Sequence, residues 1–123
     1  MSDDTLQRLS AIIEARRTGT TSRSYTRELL DGGPQRCAKK LGEEATETII
    51  AALGKDKRAL TCEAADLLYH LLVLLASRRI ALAEVLGELA ARMDTSGLAE
   101  KAARSTRAVV LLPTATEPPM PRI

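Results

Sequence analysis

The sequence of 123 residues lacks phenylalanine and tryptophan altogether and has only two tyrosines. A core without those rings must consist of Leu, Ile, Val and Ala, which favours helices packed on helices. The scarcity of aromatic residues, together with a net charge of only +2, argues against a nucleic-acid-binding surface. With 45% hydrophobic and 28% charged residues, the composition predicts one soluble, all-α domain.

Cysteine is also scarce, and the two that are present do not have metal-binding spacing. Because the chain shows no signal peptide, we expect Cys37 and Cys62 to be reduced, buried thiols. We expect no membrane-spanning segment, because Asp66 and His70 interrupt the longest apolar run. These features predict a cytoplasmic protein.

Hydrophobic periodicity predicts four principal helices and one short helical turn that stops at Asp31-Gly32-Gly33. Proline at position 34 suits the first turn of a helix, and glycine at position 54 ends it. The elements are predicted at 3–17, 25–30, 34–53, 57–77 and 80–93, and residues 96–104 could add a final turn or two.

The predicted domain organisation is a single helical domain followed by a tail. Residues 1–106 form an antiparallel bundle, and residues 107–123, which contain four prolines, form an extended or disordered end. Four helices of this size bury a modest core, and the Leu-rich helix has more apolar surface than one hairpin covers. We therefore expect a homodimer or a larger homo-oligomer.

The first acidic motif is KKLGEEATE, at residues 39–47, in the helix predicted at 34–53. At 3.6 residues per turn, Lys40, Glu44 and Glu47 form a stripe on one surface, and Glu43 lies further round. An acidic stripe is usually only a solvated helix face, so its meaning depends on the helix that packs against it.

The second motif is EAADLLYH, which places Glu63, Asp66 and His70 on one side of an otherwise apolar helix. Fifteen residues separate Glu47 from Glu63, which is enough for the chain to turn and return antiparallel. Burying a carboxylate in such a helix is costly unless a cation or strong hydrogen bonds compensate. Taken singly, Asp66 could form a buried pair with His70 or an ion pair with Lys40 or an arginine.

Taken together, four facing carboxylates predict a site for a hard divalent cation. Their ligand atoms are all oxygens, which suits Mg²⁺ or Mn²⁺ and argues against a structural zinc. Mg²⁺ keeps waters and bridges to phosphates, so the expected substrate is a polyphosphate and the expected chemistry is attack of water on phosphorus.

The acids follow the EExxE…ExxD pattern of the all-α nucleotide pyrophosphohydrolases, the superfamily of MazG-like enzymes and dimeric dUTPases. Three longer segments make the chain similar to the phosphoribosyl-ATP pyrophosphohydrolase family of histidine biosynthesis, over roughly residues 3–95. These segments are SYTRELLDGG at 24–33, KKLGEEATET at 39–48 and EAADLLYHLLVLL at 63–75. The resemblance implies an ATP-binding, magnesium-dependent hydrolase that converts phosphoribosyl-ATP to phosphoribosyl-AMP and pyrophosphate.

The resemblance also implies the metal ligands, which are Glu44, Glu47, Glu63 and Asp66. Glu43, beside them, would be a ligand to a second ion or a base for water, so that the catalytic carboxylates are Glu43, Glu44 and Glu47.

For the substrate, the resemblance implies that Lys40 neutralises phosphate charge and that Ser24, Tyr25 and Thr26 contact phosphoribosyl or phosphate groups. The loop GTTSRS at 19–24 is either an ordinary connector or, with Arg23 and Arg27, a phosphate-binding segment.

His70 is expected to have a structural role, or to orient Asp66. Two other functions compete with the preferred one: a housecleaning pyrophosphohydrolase of the same superfamily that acts on free nucleoside triphosphates, and a non-catalytic helical interaction module.

Overall fold

A computed structural model describes residues 3–19, 24–94 and Arg104 of the chain. All regular secondary structure in these residues is helical, which confirms the predicted all-α class, and the observed helices differ from the predicted ones by two residues at most at either end. The tail predicted at 107–123, and the turn predicted at 96–104 apart from Arg104, lie outside the described residues. The helices are α1 (Thr5–Thr18), α2 (Tyr25–Asp31), α3 (Gly33–Leu53), α4 (Lys57–Ser77) and α5 (Leu82–Met93).

The chain divides into two compact units, residues 1–82 and 83–123. The first unit holds α1 to α4 and contains every candidate site residue predicted from the sequence. In the second unit, the exposed side of α5 carries an ion pair between Arg92 and Glu88, 2.9 Å apart.

Local signals fix where the helices of the first unit begin. Ser24 lies at the N-cap of α2, where its hydroxyl accepts a hydrogen bond from the backbone N–H of Arg27. The carboxylate of Asp56 accepts from two backbone N–H groups at the start of α4. Between α2 and α3, Gly33 has φ +80°, a conformation that favours glycine, and Pro34 follows in the first turn of α3.

The pairing of α3 with α4 is the most extensive helix packing in the first unit. A turn of three residues, 54–56, joins these two helices of 21 residues each. Midway along α3, Glu44 faces His70 in the second half of α4. One turn later in α3, Thr48 donates a 3.2 Å hydrogen bond to the carbonyl of Glu63, in the first half of α4. The order of contacts reverses along the pair, so α3 and α4 run antiparallel, as predicted.

The core of the first unit is small and aliphatic, and α1, α2, α3 and α4 each contribute to it. The Cys37 thiol is buried and donates to the carbonyl of Leu29, 3.2 Å away. Cys62, however, is exposed on α4, so the prediction that both thiols are buried is wrong for this residue. The buried apolar residues are Ile13, Leu29, Cys37, Leu72, Val73 and Leu82.

Among the described helices, α4 is long and apolar enough to cross a membrane by length and composition alone. Its most apolar window has a mean hydropathy of 1.6, so the expectation that Asp66 and His70 exclude it was wrong. Two polar residues are outweighed by the run of leucines around them. Central helices of globular proteins pass the same test, and here α4 packs its polar side against α3.

Candidate active site

Three carboxylates from α3 and α4 converge where the two helices pack. Glu44, Glu63 and Asp66 each place one oxygen within 4.8 Å of the others. Glu44 is buried, Glu63 is half-buried and Asp66 is exposed, so the cluster opens to solvent on one side. The antiparallel pairing is what brings together acids from two helices.

Glu47 completes the acidic group, although it is more exposed than Glu44. Burial raises the pKa of Glu44, and the neighbouring Glu47 and Asp66 carboxylates raise it further against the opposing effect of Lys40. Burial also raises the pKa of Glu63, and Glu47 and Asp66 again add to the effect. Glu47 therefore lies near enough to influence both, and all four predicted acids belong to one electrostatic group.

Two carboxylate oxygens in this group are buried without a hydrogen bond. Among the described residues, Oε2 of Glu44 and Oε2 of Glu63 have no hydrogen-bond partner. Buried anionic oxygens that face other carboxylates are strongly unfavourable unless a cation compensates them. Because every donor here is an oxygen, the group fits a hard divalent cation such as Mg²⁺ or Mn²⁺.

Lys40 is the cation that lies beside the acids. Its ammonium nitrogen is 3.0 Å from Glu43 and 3.9 Å from Glu44. The hydrogen bond from Lys40 holds the pKa of Glu43 below its ordinary value. Glu43 is therefore a ready anionic ligand but a weak base for water while Lys40 is bound to it.

His70 faces Glu44 across the helix pair, with Nε2 3.8 Å from Oε1 of that residue. This distance is too long for a hydrogen bond, and Nδ1 is buried without a hydrogen-bond partner among the described residues. Burial lowers the pKa of His70, and the Lys40 ammonium lowers it further. A neutral, buried imidazole fits the structural role, and its closest ionic contact is Glu44 rather than Asp66.

Every aromatic side chain of the chain contributes to one cluster at this site. The Tyr25 ring stacks on Tyr69, with ring centroids 6.4 Å apart, and meets His70 edge to face at 6.0 Å. The hydroxyls of Thr26 and Tyr69 lie 2.5 Å apart and join α2 to α4. Tyr69 was not among the residues singled out from the sequence; the scarcity of aromatic residues and its position next to His70 were the only signals.

The predicted substrate-binding segment at the start of α2 is thus tied into the fold. The Ser24 hydroxyl caps α2 and the Thr26 hydroxyl bonds Tyr69, whereas the Tyr25 ring is 48% exposed. Arg27 donates to the carbonyl of Gly19, so its guanidinium already has a partner within the fold. Arg23 lies outside the described residues.

An all-α fold with facing carboxylates on an antiparallel helix pair, and a lysine beside them, defines the class of all-α nucleotide pyrophosphohydrolases. Comparison with known families makes the assignment specific. Residues 6–93 match the family model for phosphoribosyl-ATP pyrophosphohydrolase, and the chain belongs to this family. The resemblance inferred from the motifs, and the hydrolase class that it implied, are confirmed.

Curated relatives agree with the family model over most of their length. A Cereibacter sphaeroides protein named phosphoribosyl-ATP pyrophosphatase is 54% identical over 99 residues, which cover 80% of this chain and 96% of the relative. The protein of that name from Dinoroseobacter shibae is 56% identical over 99 residues, covering 80% of this chain and 97% of the relative. The one from Nitrobacter winogradskyi is 54% identical over 101 residues, covering 82% and 87%.

The acidic group predicts how stability depends on pH in the metal-free protein. Glu44 and Glu63 have raised pKa values, so each binds its proton more tightly in the folded than in the unfolded state. We expect stability to fall as pH rises from the ordinary carboxyl range through the raised values. Because the lowered pKa of His70 acts in the opposite direction below about pH 6.5, the carboxyl effect is measured as a difference: between about pH 5 and pH 8 in EDTA, the thermal unfolding midpoint of Glu44→Gln should fall less with rising pH than that of the wild type.

Added Mg²⁺ should raise the unfolding midpoint more at the upper end of that range, where the carboxylates are ionised. Glu88→Gln serves as the control, because it neutralises an exposed carboxylate on α5. A wild-type profile with the same slope as that of Glu44→Gln would contradict the electrostatic account.

Proposed function

We propose that the chain hydrolyses phosphoribosyl-ATP to phosphoribosyl-AMP and pyrophosphate, the second step of histidine biosynthesis, with Mg²⁺ bound at the acidic group. Family membership supports the reaction. The observation that supports the metal is the convergence of Glu44, Glu63 and Asp66 within 4.8 Å, with two buried oxygens that lack hydrogen bonds. The cytoplasm, where soluble biosynthetic enzymes act, is the proposed location.

The proposed metal ligands are Glu44, Glu47, Glu63 and Asp66, two from each helix. A bound Mg²⁺ would neutralise charge on the phosphates and lower the pKa of a water molecule. The buried position of Glu44 and the fixed pairing of α3 with α4 hold the ligands in place before metal or substrate binds. Mn²⁺ has the same ligand preference and is the alternative ion.

Lys40 and Glu43 are proposed to act as an exchangeable pair. In the free chain, the Lys40 ammonium bonds Glu43. A substrate phosphate would compete for Lys40, because its negative charge is larger than that of one carboxylate. Once Lys40 binds phosphate, the pKa of Glu43 would rise toward its ordinary value, and Glu43 would become a better base for the attacking water or a ligand to a second ion.

Ser24, Tyr25 and Thr26 are proposed to shape the substrate-binding side of the site. Their contacts favour two different roles. Tyr25 would present its exposed ring to a ligand, and the side-chain hydroxyls of Ser24 and Thr26 would position α2. Both hydroxyls already take part in hydrogen bonds, so each would have to form an additional bond in order to contact a phosphate.

We also propose that the chain acts as a homodimer or a larger homo-oligomer. Ile49, Ile50 and Leu53 are 62%, 65% and 84% exposed at the end of α3 and lie within about 100° of one another round the helix. A contiguous apolar surface of this kind is typical of a contact with another subunit. Because Glu47 is one turn before Ile50, this contact would place a second subunit at the edge of the acidic group.

The first test of the function is a substrate comparison. Pyrophosphate release should occur from phosphoribosyl-ATP in Mg²⁺ and stop in EDTA, and ATP and dUTP should be turned over far more slowly. Comparable release from ATP and dUTP would instead favour a housecleaning pyrophosphohydrolase. Release from phosphoribosyl-ATP that persists in EDTA would contradict the proposed metal.

Conservative variants test the proposed ligands. Glu44→Gln and Asp66→Asn should each lower kcat/KM at least about 100-fold, because each removes an anionic oxygen from the proposed metal. Both should remain folded by circular dichroism, and Glu44→Gln should match or exceed the wild-type stability in EDTA, since repulsion is relieved. Glu88→Gln is again the control and should keep full activity. Activity that survives both site changes would rule out this group as the metal site.

The oligomer is tested by sedimentation. The wild-type protein should sediment with at least twice the chain mass of 13.3 kDa. Ile50→Glu should shift the equilibrium toward single chains, because it buries a charge in the proposed contact. Gln7→Glu, on the exposed side of α1, should not. A wild-type protein that sediments as a single chain at micromolar concentration would contradict the proposal.

A further inference from the structure

Arg36 lies in the first turns of α3 and shares a helix face with the predicted site residues. At 100° per residue, it falls within a sector of about 60° that also contains Lys40, Glu43 and Glu47. Arg36 is one turn before Lys40 and two turns before Glu44. This face of α3 therefore carries cations at its beginning and carboxylates in its middle.

The side chain of Arg36 packs over Gly32. A Cβ added to Gly32 would lie 2.4 Å from Cδ and 3.0 Å from Cβ of Arg36. Gly32 has φ −74° and ψ −10°, ordinary right-handed helical values that any residue adopts, so its backbone does not require glycine. The requirement is steric: the absence of a side chain at position 32 lets the stem of Arg36 lie across the corner between α2 and α3.

The guanidinium of Arg36 has no ionic or hydrogen-bonding role within the described part of the chain. Arg36 is exposed, and it forms no ion pair or side-chain hydrogen bond there. Arg36 therefore differs from several other arginines, which form ion pairs with nearby carboxylates. Ion pairs join Arg8 to Asp4, Arg17 to Glu14, Arg27 to Asp31 and Arg92 to Glu88.

Distance separates Arg36 from the proposed metal ligands. Arg36 and Glu44 are eight positions apart along α3, which corresponds to a rise of roughly 12 Å at 1.5 Å per residue. Helix side chains lean toward the N-terminus, so both lean the same way and the separation is retained. Arg36 is also one turn further from the carboxylates than Lys40, the cation that contacts Glu43 and Glu44 and that the proposed function assigns to the triphosphate.

Phosphoribosyl-ATP has a second anionic group that is remote from its triphosphate, namely the phosphate of the phosphoribosyl unit. An arginine offers a planar fork of donors that matches a phosphate. Resting on the proposed function, we infer that Arg36, seated on Gly32, binds the phosphoribosyl phosphate and so distinguishes phosphoribosyl-ATP from free nucleoside triphosphates.

The test separates the two ends of the substrate by means of the two products. Arg36→Gln should raise KM for phosphoribosyl-ATP, and the inhibition constant for phosphoribosyl-AMP, by roughly 10- to 100-fold, as for loss of a charge-assisted hydrogen bond. The inhibition constant for pyrophosphate should stay within about twofold of wild type, because pyrophosphate binds at the metal end. Arg36→Lys should recover part of the loss, since it keeps the charge without the fork.

Gly32→Ala provides a second route to the same result without removing the guanidinium. The added methyl displaces the stem of Arg36, so the inhibition constant for phosphoribosyl-AMP should rise while that for pyrophosphate does not. Combined with Arg36→Gln, it should cause little further loss, because both changes act on one contact.

Arg58→Gln is the matched control. Arg58 is also exposed, lies in the first turn of α4, and lies about 140° round that helix from Glu63. It should leave all three constants unchanged.

Unchanged constants in Arg36→Gln, with an active wild-type enzyme, would overturn this inference and leave the proposed function standing. A rise in the pyrophosphate constant alone would assign Arg36 to the triphosphate and overturn the role in discrimination. A wild-type enzyme without activity on phosphoribosyl-ATP would refute the function, and the assignment of Arg36 with it.

Discussion

The central constraint on this structure is the repulsion among the carboxylates that the pairing of α3 with α4 brings together. Glu44 and Glu63 are withdrawn from water, and Glu47 and Asp66 raise their pKa values further. Among the described residues, the Lys40 ammonium offsets this repulsion only in part. The hairpin must therefore be held by apolar packing and by bonds such as the one between Thr48 and the carbonyl of Glu63. Stability is thus reduced at the place where the proposed metal ion would restore it.

The short helix α2 connects this hairpin to the proposed substrate-binding side. Seven residues are too few for a stable isolated helix, so α2 depends on its ends and neighbours. The Ser24 cap, the bond between Thr26 and Tyr69, and the buried Leu29 supply that support. A motif residue of α2 can therefore serve substrate binding indirectly, because it fixes where the Tyr25 ring lies.

The sequence predicted the features that depend on periodicity within one helix. The acids at positions 44, 47, 63 and 66 follow from helical spacing and one short turn, and so do the helix ends. Contacts between α2 and α4 could not be predicted, because periodicity defines a face of a helix and not its neighbour. The bond between Thr26 and Tyr69 is a contact of this kind. Periodicity also did not indicate that His70 contacts Glu44 on α3. The exposure of Cys62 was missed because the arguments for a reduced thiol, its spacing and the absence of a signal peptide, do not indicate which side of the helix is covered.

The order of charged residues along α3 bears on ligand binding rather than on the stability of the helix. A helix is stabilised by anions at its beginning and by cations at its end, because of the direction of its dipole. Helix α3 has no acidic residue in its first turn and no basic residue in its last, and its cations Arg36, Lys39 and Lys40 all precede its acids. The ends of α3 therefore gain no stabilisation from charges that complement the dipole. This order of charges fits the proposed function, in which one anionic end of an extended ligand would bind at the carboxylates through a metal and the other would bind the cations nearer the start of the helix.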